Sequence, residues 1–164
     1  MHAVPRYTFE EAFERLQSLE GRAKLLALYH GPLGGIVTNP ALMCVPIDDH
    51  VVHRGDGLFE SFKCVDGAIY NLEGHLDRLE EGCRRIGLAL PCPREGLVEI
   101  VVQTLRAAER RTSMVRLLLT RGMGTMGPDP YACSGPQLYV LVYPLVLDDV
   151  TCQRGRGARV RLSE

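Results

Sequence analysis

At 164 residues the chain has the size of one domain, or of one domain and part of another. Apolar residues make up 46%, enough for a core, while 24% charged residues and a formal net charge of −1 leave no basic excess for a nucleic-acid surface. No apolar run approaches the roughly 18 residues of a membrane span, and the acidic, polar N-terminus is unlike a secretory leader.

The six cysteines (Cys44, Cys64, Cys83, Cys92, Cys133, Cys152) are widely spaced and form no C-x-x-C pair. Reduced thiols and a cytoplasmic location are expected. Lysine is scarce: only Lys24 and Lys63 occur beside 17 arginines. Candidates for a catalytic amine are correspondingly few.

Along the chain, Thr8 and Glu11 form a capping-box signature, followed by Phe9, Phe13, Leu16 and Leu19 at helical spacing. This predicts an amphipathic helical extension within residues 1–30, with a break near Gly21. Two short β-prone runs flank the Asn39-Pro40 turn in IVTNPALMCVPI. GLFESFKCV, Asp66-Gly67 and AIYNL read as a hairpin.

Leu72, Leu76, Leu79, Cys83 and Ile86 then trace one face of a helix that ends near Gly87. Leu97, Ile100, Val101, Leu105 and Ala108 trace a second. SMVRLLLT is a strand, RGMGTMGPDP a glycine-rich loop, and QLYVLVYPLVL a nearly all-apolar strand suited to the sheet centre. DDVTCQRGRG reads as a linker, with ARVRL opening a further strand. The expected architecture is α+β: residues 31–147 form a small domain, a largely antiparallel sheet with two helices on one face. Residues 148–164 are expected to hold an interdomain linker and the first strand of a truncated second domain.

The stretch DDHVVHRGDGLFES, residues 48–61, concentrates polar chemistry. Asp48, Asp49, His50 and His53 are four possible metal ligands. Val51, Val52 and Gly55 argue against a helix there, and no third well-spaced His or Cys is near. A hydrogen-bonded polar turn is favoured over a metal site. The tripeptide Arg54-Gly55-Asp56 is too short to carry an adhesion reading.

Further on, Arg78 flanks the apolar stripe of the first predicted helix. Its planar fork suits a phosphate. A solvated Arg78, or one paired with Asp77, Glu80 or Glu81, is the alternative.

VPIDDHVVHRGDGLFES, a hairpin and YNLEGHLDRL together resemble the N-terminal part of the class IV (fold type IV) pyridoxal-phosphate-dependent aminotransferases. That family includes branched-chain aminotransferases, D-amino acid aminotransferases and aminodeoxychorismate lyases. The compact DDHVVHRGDGLF form resembles the plant-type D-amino acid aminotransferase-like branch in particular. The similarity runs from about Gly34 to Leu162.

The resemblance implies pyridoxal 5'-phosphate as cofactor and an amino acid and a 2-oxo acid as substrates. It also implies a homodimer, with no nucleic-acid or membrane partner. Arg78 takes the place of the family's phosphate ligand, and Phe59 that of a pocket-lining aromatic. Arg54 and Arg116 fall at or near substrate-contacting positions. The 121–130 loop resembles a lid over a neighbouring subunit's pocket, without the Arg and His that trap carboxylates in D-amino acid enzymes.

Neither Lys24 nor Lys63 matches the Schiff-base lysine, which the family places in the second domain, a little beyond Glu164. The chain is therefore expected to hold half a cofactor site and to be inactive alone. A lyase branch member, a non-catalytic dimerisation or regulatory domain, and a metal module at His50 and His53 are the competing readings.

Overall fold

The computed structural model describes residues 4–146 together with Gly155 and Gly157. Helix α1 (Phe9–Ser18) is followed by strands β1 (Ala27–His30) and β2 (Gly35–Val37) and the short helix α2 (His50–Arg54). Strands β3 (Gly57–Val65) and β4 (Ala68–Ile69) precede helices α3 (Leu72–Ile86) and α4 (Arg94–Ala107). Strands β5 (Ser113–Thr120) and β6 (Gln137–Pro144) complete the sheet. The six strands lie in the order β2-β1-β6-β5-β3-β4, and every pairing is antiparallel.

The central position of β6 explains its composition, because it is paired on both sides. Val115, Leu117 and Leu119 of β5 and Leu138, Val140 and Val142 of β6 point to one face. There they meet Leu76, Leu79 and Cys83 of α3 and Leu97 and Val101 of α4. The two-helix layer over a largely antiparallel sheet thus forms as the periodicity predicts. Gly87 ends α3 in the left-handed region at φ 61°, donating its N–H to Cys83 O. Asp66 and Gly67, both at positive φ, make the β3–β4 turn.

Three local expectations are corrected. The N-terminal helix, capped by Thr8 and Glu11, covers only Phe9–Ser18. The remainder of the expected 1–30 extension contains β1, which pairs with β6 and belongs to the sheet. Of the two strands expected around Asn39-Pro40, only β2 forms. Pro40–Leu42 is a single 3₁₀ turn, capped by the Asn39 side chain, because proline lacks the donor a ladder needs.

The third concerns His50–Arg54, which is a helix despite its two valines. Asp49 caps its start by accepting from Val51 N, and Gly55, at φ 68°, ends it. Strong caps at both ends outweigh the mild cost of β-branched residues in one turn. The strand expected at ARVRL lies outside the described residues.

Candidate cofactor and substrate site

Successive residues of β3 face opposite sides of the sheet, and this divides the candidate site in two. On the helix side, Glu60 is only 3% exposed. It accepts from Arg78 Nε at 2.7 Å, from Arg78 Nη2 at 2.5 Å and from His75 Nδ1 at 2.7 Å. His75 and Arg78 stand three apart on α3, so both reach the same carboxylate. Burial pushes the Glu60 carboxyl up, but hydrogen bonds from Arg78 and His75, with their charges, outweigh it and hold the group below its ordinary range. The hydrogen bond from Arg78 to Glu60, with the attraction of that carboxylate, in turn pushes the guanidinium up.

The acids expected beside Arg78 are occupied elsewhere. Asp77 and Glu80, with Glu73, surround Arg94, and Glu81 pairs with Arg84 and Arg85. Glu60 was therefore the missed partner. Its signal in the sequence is a charged residue in phase with buried Phe62 and Cys64.

On the opposite face, Phe59 is 62% exposed. The Arg116 guanidinium carbon lies 5.5 Å from its ring centroid, within cation–π range. Arg116 sits opposite Ser61 in the β3–β5 register and donates from Nε to Ser61 Oγ at 3.2 Å. Beside it opens a hollow of about 370 Å³, floored by Leu28, Leu118 and Tyr139 and walled by Met43, with Arg22 at its margin. Arg22 donates to Pro40 O at 2.7 Å and so holds the 40–43 segment against the sheet.

Arg54 is separate from both groups. Its Nη2 donates to Met126 O at 3.2 Å, which ties α2 to the glycine-rich loop. That loop is pinned along its first half. His50 N donates to Gly122 O, Gly124 N donates to Asp48 O, and His50 Nε2 lies 3.0 Å from Thr125 O. Arg121 pairs with Asp56 at 2.6 Å. The glycines serve close fit as much as freedom: at Gly122, φ is 99°, and an added Cβ would collide with Gly135 O. A freely moving lid over the whole 121–130 stretch is not what the contacts describe.

Asp49 lies beneath this junction, fully buried, accepting from Thr120 Oγ1 and Val51 N. Tyr139 OH lies 3.5 Å from the same carboxylate. Burial first, and then the Asp49 charge, push the Tyr139 phenol well above its ordinary value. The His50 and His53 rings stand 5.0 Å apart on α2. Among the described residues no group of three or more His, Cys, Asp and Glu side chains could hold a metal ion.

The residues fit part of a phosphorylated cofactor's site. Arg78 offers an exposed, fixed cation. Neither lysine joins it: Lys24 lies in a 3₁₀ turn before β1, and Lys63 lies over the Tyr70 ring, 4.8 Å from its centroid. Among the described residues no helix is long and apolar enough to cross a membrane.

A six-stranded antiparallel sheet with one two-helix face and an arginine-bearing opposite face defines a class of small α+β domain. The sequence pattern of the family described as amino-transferase class IV matches residues 57–160, and the chain belongs to that family. It is 37% identical over 139 residues to the chloroplastic D-amino-acid transaminase of Arabidopsis thaliana, covering 85% of this chain and 37% of that protein. It is 32% identical over 115 residues to the bifunctional aminodeoxychorismate lyase / D-amino acid transaminase of Mycobacterium tuberculosis, covering 69% and 37%. The fold matches the crystal structure of the Escherichia coli branched-chain amino acid aminotransferase with a TM-score of 0.66 at 20% identity, over 74% of this chain and 40% of that one. The chain thus spans well under half the length of these relatives.

Proposed function

We propose that this chain forms the small-domain half of a pyridoxal-phosphate-dependent aminotransferase. It would move an amino group between an amino acid and a 2-oxo acid as part of a homodimer. The observation that carries the reading is the division of β3 at Phe59–Glu60. Arg78 stands on one side, suited to a phosphate. Phe59, Arg116 and the apolar hollow stand on the other, suited to a carboxylate with an apolar side chain. Among the described residues strand β4 pairs with β3 only through Cys64 and Val65, and no strand pairs with that edge over Gly57–Ser61, which suits cover by another element.

Pyridoxal phosphate, when bound, supplies an electron sink and an amine carrier. The chain's own work is to grip the phosphate through Arg78 and to orient the substrate through Phe59 and Arg116. Arg54 acts on the loop through Met126 O, and reaches substrate only through that loop. The lysine that must exchange with the substrate amine is assigned to a second domain. A cytoplasmic setting rests on the wide spacing of the cysteines, of which the five among the described residues are free thiols.

The test is to express the protein encoded by the gene's full reading frame beside the 164-residue chain. Both are assayed with L- and D-amino acids as donors and several 2-oxo acids as acceptors. The longer protein is expected to turn over and the shorter one not. Turnover by the 164-residue chain alone would sink the half-site reading. Pyruvate release from aminodeoxychorismate would instead place it with the lyases, a reading favoured by the bifunctional relative's description.

A further inference from the structure

We infer that Glu60 is a positioning residue that turns Arg78 into a preorganised anion fork, with the Nη1–Nη2 edge as its working face. The inference rests on the proposed phosphate role of Arg78 and deepens it.

A guanidinium carries five N–H donors in one plane. Glu60 takes the Nε–H and one Nη2–H in a two-point contact. Three donors remain, two on Nη1 and one on Nη2, and one from each nitrogen lie side by side as a second fork that can donate to two oxygens of one phosphate. Among the described residues the Arg78 side chain makes no other hydrogen bond, and it is 68% exposed, whereas that of Glu60 is 4% exposed. One edge of the guanidinium is thus anchored in the protein while the other is open.

The anchor is itself fixed. His75 Nδ1 holds the same carboxylate at 2.7 Å, and the His75 ring packs 5.3 Å from that of Phe62. Phe62 is 3% exposed and belongs to the core. The plane of the fork is therefore set by the sheet through β3, rather than by α3 alone. An arginine held this way loses little side-chain freedom when an oxyanion arrives.

This arrangement makes a prediction opposite to that of charge alone. Removing a carboxylate beside an anion site strengthens anion binding if electrostatics dominate. It weakens binding if the carboxylate acts by holding the fork. The experiment is a titration of the 164-residue chain with inorganic phosphate, followed through the Arg78 side-chain N–H signals in nitrogen-15 spectra. Wild type, Glu60→Gln, Arg78→Lys and Arg78→Ala are compared.

In the wild type, the Nε–H is expected to exchange slowly throughout, and the remaining donors to shift at millimolar phosphate. Glu60→Gln is expected to speed Nε–H exchange and to weaken binding at least about fivefold, since charge-assisted pairs are the strong ones. Arg78→Lys keeps the charge but has no fork, and is expected to lose binding as fully as Arg78→Ala does. It decides the matter if Glu60→Gln does not fold.

Unchanged or tighter binding in Glu60→Gln, or wild-type binding in Arg78→Lys, overturns the fork proposal and leaves the phosphate role of Arg78 standing. A wild type that shows no response also overturns the fork. Undiminished binding in Arg78→Ala overturns the phosphate role as well.

Discussion

Thr120 donates its hydroxyl to the carboxylate of Asp49 over 2.7 Å, joining residues 71 apart in the chain, and both are fully buried. This single bond fastens the start of α2 to the end of β5, where the glycine-rich loop begins. The same carboxylate caps α2 and lies near the Tyr139 hydroxyl. Asp49 is thus one buried tie between the face that carries Phe59 and Arg116 and the loop.

Asp49→Ala is expected to destabilise the chain by about 2–4 kcal/mol, combining a lost N-cap with a buried hydroxyl left without an acceptor. Urea unfolding followed by circular dichroism measures it. A change below about 0.5 kcal/mol, the usual range for a surface site, would show that the network is dispensable.

Acid should act through Glu60. A carboxyl whose folded value lies below its unfolded one stabilises the fold above the unfolded value, near 4.5 here. That contribution is lost as the pH falls through the folded value. The urea midpoint of the wild type is expected to fall with acidification below about pH 4.5 more steeply than that of Glu60→Gln. Parallel curves for the two proteins would remove Glu60 from the acid response.

The phenol of Tyr139 should titrate late. Its pKa is raised by burial and by Asp49, so neutral Tyr139 stabilises the fold below its unfolded value, and that stability is lost as pH climbs beyond it. In an absorbance titration Tyr139→Phe should remove one late-titrating phenol; an unchanged high-pH phase in that variant would show that the phenol is not Tyr139.

Leu97→Ala, at a position with no exposure on α4, is expected to cost about 2–5 kcal/mol. Phe59→Ala, on the open face, should change stability by no more than about 0.5 kcal/mol. In the proposed two-domain aminotransferase, Phe59→Ala should instead raise KM for the amino donor. The pair separates framework from pocket: a large stability loss in Phe59→Ala would place it in the framework.

The sequence by itself determined the elements whose signal is local. The α3 stripe from Leu72 to Ile86, the Asp66-Gly67 turn and the apolar run of β6 each follow from periodicity or backbone preference within a few residues. The resemblance to the class IV aminotransferases, carried by the residue types and order of DDHVVHRGDGLFES and GHLDRL, marked the two stretches as belonging together.

Only the tertiary structure decided who meets whom. Arg78 has acidic neighbours on its own helix, yet its partner is Glu60, brought in by the packing of α3 against β3. His50–Arg54 is a helix because Asp49 and Gly55 cap it and Thr120 holds that cap. Ala27–His30, which continues an apolar helical run in the sequence, is a strand because β6 offers it a ladder. For Arg78 and for Ala27–His30 the deciding contact comes from across the chain, and such contacts leave no periodic trace in the residues on either side; for His50–Arg54 the caps are local, and Thr120 fixes one of them.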